Sequence, residues 1–102
     1  MSTIFVGRHQ GAIRWIKARK IPVDRWTDDL EPDTVEPGDV VIGTLPLHLA
    51  CAVCSRGAVF IAVTMDIPKA LRGRELSRTD IERCGCRLEA FHVSPVPLPE
   101  GL

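Results

Sequence analysis

The sequence predicts an α/β domain with a mostly parallel sheet in three layers, helices covering both faces. Two observations predict it. Short runs of β-branched and aromatic residues, Thr3–Val6, Val40–Ile42 and Ala58–Val63, read as buried strands. Segments of helical periodicity follow these runs, and strand–helix alternation demands crossovers. Right-handed crossovers place the strand carboxyl ends along one edge. The 102 residues allow about one domain, and 45% apolar residues suffice for its core. The expected division is a single domain over residues 1–94 and a proline-rich tail over 95–102.

The first strand, Thr3–Val6, ends at Gly7, and Gly7-Arg8-His9-Gln10-Gly11 reads as a turn. A helix is expected from Ala12 to Lys20, with Ala12, Trp15, Ile16 and Arg19 on one face and Ile13 beside it. Ile21-Pro22 ends it, because proline restricts the residue before it. Val23–Trp26 is expected as a short edge strand, and the acidic stretch Asp28–Asp39 as a surface connection. Val40–Ile42 is the clearest buried strand. Gly43-Thr44-Leu45-Pro46 then opens a helix running to about Arg56, with Thr44 as its cap and Gly57 as its stop. After the strand Ala58–Val63, Leu71–Leu76 reads as loop or a short helical turn. Ser77 and Thr79 are both candidate caps for a helix ending near Gly85, and Thr79-Asp80-Ile81-Glu82 matches a capping box. A last strand is expected over Arg87–Val93.

The net charge is zero, but it is segregated. Met1–Lys20 carries five bases and no acid, whereas Ile21–Asp39 carries seven acids against Arg25. The total argues against coating of long nucleic acid. It leaves room for a small anion at one focused site, expected around Arg8 and Arg14. No segment has the apolar length of a membrane helix. The start has no basic region ahead of its apolar residues, so no signal peptide is read there. A cytoplasmic protein is expected, with no membrane partner, and a homodimer is a natural way for a small domain to gain stability.

Three segments follow strands at the predicted carboxyl edge: Gly7–Gly11, Gly43–Pro46 and Thr64–Pro68. Open α/β sheets bind ligands there, and helix starts favour anions. Arg8 offers two parallel hydrogen bonds to a phosphate, and His9 a proton near neutral pH. The alternative for this turn is plain solvated polar residues. Gly43-Thr44-Leu45-Pro46 offers backbone N–H groups and a hydroxyl, or is simply a helix start. His48 lies one turn further on and also reads as a surface histidine. Asp66 can accept a hydrogen bond from a ribose hydroxyl or a base, or cap its own turn. His92 has no visible partner. The chain lacks both G-x-G-x-x-G and the P-loop lysine. Cys51, Cys54, Cys84 and Cys86 have a spacing open to zinc. However, Leu47, Ala50, Cys51 and Cys54 share a helical stripe, where cysteine behaves as a small hydrophobe. No metal site is expected.

Phe5-Val6-Gly7-Arg8-His9-Gln10-Gly11-Ala12 followed by Trp15 resembles the F-x-S-R-H-x-G-A-x-x-W opening of a small CRISPR-associated family, Csx family sixteen. Val23-Asp24, Pro37-Gly38-Asp39, Val41–Pro46, Leu71-Arg72-Gly73 and Glu75-Leu76 look like its later motifs, in the same order. Gly7 stands where that opening carries serine. The resemblance implies a Rossmann-like dimer, an accessory protein of type III CRISPR systems. It further implies a ring nuclease that cleaves cyclic oligoadenylate, with cyclic tetra-adenylate as the expected ring. Attack by the ribose 2′-hydroxyl would do this without a metal or cofactor. Arg8 would stabilise charge, and His9 would act as general acid or base. The expected ligand contacts are Gly7, Gln10, Gly11, Arg14, Gly43, Thr44, Leu45, Pro46, His48 and Asp66. The competing expectations are a sensor or sponge that binds the ring without cutting it, and a small interaction subunit using the proline tail.

Overall fold

A computed structural model describes every residue from Met1 to Leu102. Its regular elements are strands β1 (Thr3–Val6), β2 (Arg25–Thr27), β3 (Val40–Gly43), β4 (Val59–Thr64) and β5 (Arg87–Phe91), and helices α1 (Gln10–Ala18), α2 (Leu47–Ser55) and α3 (Arg78–Arg83). Single 3₁₀ turns lie at Pro32–Thr34 and Lys69–Leu71. The sheet order is β2-β1-β3-β4-β5, parallel except for β5 against β4. This is a Rossmann-like α/β fold. No helix is long and apolar enough to cross a membrane.

Pleating sends alternate side chains to opposite faces, so each central strand feeds two cores. Ile4, Val6, Val41 and Phe60 join Ala50, Val53 and Cys54 on the face covered by α2 and the Pro32–Thr34 turn. Phe5, Ile42 and Val63 join Trp15, Ile16 and Ile81 on the face covered by α1 and α3. The register holds these pairs level, with Ile4 beside Val41 and Phe5 beside Ile42. Full burial of a side chain such as Ile16, Ile42, Val53 or Ile81 contributes roughly 1.5–3 kcal/mol.

Several boundaries differ from the sequence expectation, each for a local reason. α1 starts at Gln10 rather than Ala12, because the His9 side chain caps it by accepting the Ala12 N–H. Pro46, not Thr44, is the residue before α2, and it gives no side-chain cap; the Thr44 hydroxyl donates to the Val63 carbonyl instead. Of the two candidate caps of α3, Ser77 is the one used, and its capping box with Asp80 lies two residues ahead of the expected Thr79–Glu82 pair. β5 runs backwards because α3 is too short to return the chain to the amino edge. Cys84 accepts the Asp66 N–H at 2.8 Å, and Gly85 at φ 69° reverses the chain beside the end of β4. Beyond β5, Val93 donates its N–H to the Cys54 sulfur at 3.3 Å, and Ser94–Leu102 is exposed without a regular element.

Candidate functional site

The carboxyl ends of β1, β3 and β4 open onto a cavity of about 380 Å³. That volume lies at the low end of small-molecule sites. Phe5, Val63, Met65, Ile67, Leu71 and Leu76 give it an apolar wall. Gly7, Arg8 and His9 enter from the turn before α1, Gly43 and Thr44 from the end of β3, and Gly73 and Arg74 from the β4–α3 connection. The three segments expected at the carboxyl edge, Gly7–Gly11, Gly43–Pro46 and Thr64–Pro68, thus each contribute residues to one cavity.

Each polar group there has a defined partner or lacks one. The Arg8 guanidinium lies 2.8 Å from the Asp29 carboxylate, with both side chains largely in water. Thr44 Oγ1 is 3.5 Å from the Val63 carbonyl, a long hydrogen bond at the part-buried rim. His9 is held from both sides: Ala12 N–H points to Nδ1 at 3.2 Å, and Leu76 N–H to Nε2 at 3.0 Å. A neutral imidazole offers one acceptor nitrogen and an imidazolium offers none. The ring therefore satisfies one of these amides at a time, and its other nitrogen is shielded by the second. Arg74 makes neither a hydrogen bond nor an ion pair.

Two glycines shape the cavity by close approach. A Cβ on Gly43 would strike the Val6 carbonyl oxygen, so only glycine lets β3 end this close to β1. A Cβ on Gly11 would strike the Leu76 carbonyl oxygen, and would lie 2.8 Å from an Ile81 methyl and 2.9 Å from His9 Cε1. Gly11 is buried. It seats α1 against the β4–α3 connection and does not face the cavity.

Other expected contacts lie elsewhere. Gln10, Arg14 and His48 are exposed and line no part of the cavity. Leu45 packs towards the α2-side core, and Pro46 sits at the start of α2. The Asp66 side chain is 85% exposed and pairs with Arg87 at 3.5 Å. Much of the basic first segment also covers rings: Lys17 Nζ lies 5.1 Å from the Trp26 ring and the Arg19 guanidinium 4.8 Å from Trp15. Cys54 packs with the α2-side core and Cys86 against the α1-side core, on opposite faces of the sheet. Burial pushes the Cys86 thiol up. No three His, Cys, Asp or Glu side chains converge as a metal site.

Sequence reasoning placed the Thr64–Pro68 segment at this edge but missed Arg74 and the apolar contribution of Leu71 and Leu76. A signal was present. The thirteen residues from Met65 to Ser77 between β4 and α3 hold only one 3₁₀ turn, and connections of this length in compact domains often carry function.

An open, mostly parallel sheet with a cavity at its carboxyl edge defines a Rossmann-like domain with its candidate site where such folds carry ligands. Residues 4–94 match the family described as "Putative CRISPR-associated protein (Cas_VVA1548)", and the chain belongs to that family. No curated protein and no solved structure is significantly similar to it.

Proposed function

We propose that the protein binds cyclic oligoadenylate at this cavity and cleaves it, ending a type III CRISPR signal. The observation that carries this reading is one cavity at the carboxyl edge that joins an apolar wall to Arg8, in a chain of a CRISPR-associated family. The wall suits the faces of a purine base. Arg8 suits a phosphate, with two parallel donors.

A cavity of about 380 Å³ has room for one nucleotide unit and not for a ring. A ring is then shared between two copies, and a two-fold dimer repeats each contact on a two-fold ligand. In the reaction, a ribose 2′-oxygen attacks the adjacent phosphorus and the bond to the 5′-oxygen breaks. The 2′-proton is lost and the 5′-oxygen gains one, leaving a 2′,3′-cyclic phosphate and a 5′-hydroxyl. No water is consumed. The chain's task is to align the attacking and leaving oxygens and to stabilise the added negative charge. Arg8 serves the second need, and the Gly43–Thr44 segment abuts the same space. His9 serves as a positioning residue in this geometry. Proton transfer by its Nε2 requires the Leu76 amide to move away.

Because a backbone amide faces each His9 nitrogen, one second reading is favoured, a protein that binds the ring without cutting it. Incubation of the full chain with cyclic tetra-adenylate in EDTA separates the two. Linear products ending in a 2′,3′-cyclic phosphate are expected. An intact ring with measurable affinity leaves the binding protein, and a ring neither bound nor cut removes both.

A further inference from the structure

We propose that Arg74 holds the phosphate of the bound nucleotide unit, leaving Arg8 for the phosphate that reacts, and that the cavity takes a purine nucleoside phosphate with its base against the apolar wall. The inference rests on the reading that the cavity receives an adenylate unit, and it names the group that recognises that unit's charge.

The other arginine that lines the cavity is already held, and so are several of its neighbours. Arg8 is held by Asp29 at 2.8 Å. Arg72 Nε donates to the Ile67 carbonyl at 3.3 Å. Arg78 pairs with Glu82, and Arg87 with Asp66 and Glu89. Arg74 lines the cavity and has no such partner. It lies near α3, where Ser77 chiefly lowers the Asp80 carboxyl and Arg74 adds a smaller effect at a distance.

The backbone that carries Arg74 is pinned on both sides. Two residues earlier, the Arg72 N–H donates to the Lys69 carbonyl at 3.3 Å. Two residues later, Leu76 is 5% exposed, with its N–H facing His9 Nε2 at 3.0 Å. A guanidinium on so fixed a base needs to order only its own side chain when it meets an anion. The wall and the charge together define the ligand class. An inorganic anion has no use for the apolar wall, and an uncharged nucleoside has no use for the free guanidinium.

The test is calorimetric titration of the full chain with adenosine and with its 3′- and 5′-monophosphates. Wild-type protein should bind one of the monophosphates roughly ten- to a hundredfold more tightly than adenosine, as expected for a charge-assisted hydrogen bond. Arg74→Ala should bind adenosine as wild type does and lose that preference, while Arg74→Lys keeps part of it. Arg74 is exposed and contacts no partner, so all three proteins should melt together. Equal affinities in wild type, an undiminished preference in Arg74→Ala, or no binding of any of the three ligands overturns the assignment. The assay needs no cleavage. A protein that never cuts a ring but shows this pattern loses the nuclease reading alone. One that cuts the ring but shows no monophosphate preference loses the Arg74 assignment alone.

Discussion

Arg8 and Asp29 meet at 2.8 Å beside the cavity, both side chains open to water. Such a pair adds little to stability, because water screens it and two long side chains must be ordered to make it. Its consequence is competition: a ligand phosphate must take the guanidinium from the carboxylate. Asp29→Asn should therefore tighten ring binding at low salt without moving the melting temperature. Arg8→Ala should slow ring cleavage roughly hundred- to thousandfold, the scale of losing a donor to developing negative charge. Rapid-quench measurement of product formation checks this, and a wild-type rate would remove Arg8 from the reaction.

His9 ties two distant parts of the chain, since Leu76 lies 67 residues further on. Asparagine is among the best helix N-caps but is too short to span from the Ala12 amide to that of Leu76. His9→Asn should keep α1 capped, whereas His9→Ala should cost about 1 kcal/mol, a fall in melting temperature of roughly 4–8 °C for a domain of this size. Both variants should speed hydrogen exchange at the Leu76 amide and weaken ring binding. Unchanged protection of that amide would show that something else anchors the connection.

Gly11→Ala tests the seat of α1. The new methyl would enter the Leu76 carbonyl oxygen, a backbone atom that cannot rotate away. Overpacking of this kind costs typically 1–3 kcal/mol. Urea denaturation should report a loss at the upper end of that range, with weaker ring binding because the Met65–Leu76 wall is displaced. A stability equal to wild type would mean that the connection yields freely.

The sheet was legible because its central strands are buried on both faces. Ile4-Phe5-Val6 and Val40-Val41-Ile42 carry no polar residue, and such runs leave little choice but a covered parallel strand. The direction of β5 was hidden. A short, half-buried run such as Arg87–Phe91 reads the same way in either direction, and the reversal is set by a short α3 and the turn at Gly85. Arg8, His9, Gly43 and Thr44 were legible because they directly follow strands. Arg74 was not, since Arg72 and Arg74 look alike in one loop. Only the fold commits the first to the Ile67 carbonyl and leaves the second free. Asp66 shows the reverse error: its place at a strand end was read correctly, but its partner is Arg87 across the β4–β5 pair.

Asp39 carries the last prediction, at the edge of the sheet opposite the cavity. It is the one buried charged residue, 4% exposed. Its carboxylate accepts the Ser2 and Glu36 N–H groups, both at 2.9 Å, and so ties the start of β1 to the turn before β3. These bonds, that from Glu36 first, hold its carboxyl below the ordinary range. Folding therefore favours the charged form. The stability it supplies is fully present above roughly pH 4, where the unfolded carboxyl is ionised. It is lost as pH falls through the lower value of the folded state. An asparagine here keeps one acceptor oxygen but turns an N–H₂ group towards the second amide. Asp39→Asn should thus be less stable than wild type at neutral pH, and the gap should close as the pH falls below about 4. Urea denaturation of both proteins between pH 2 and 7 measures that gap. Affinity for the ring at neutral pH should not change, because the cavity lies at the other end of the strands. A gap that stays constant down to pH 2 would trace the loss to packing and not to the charge.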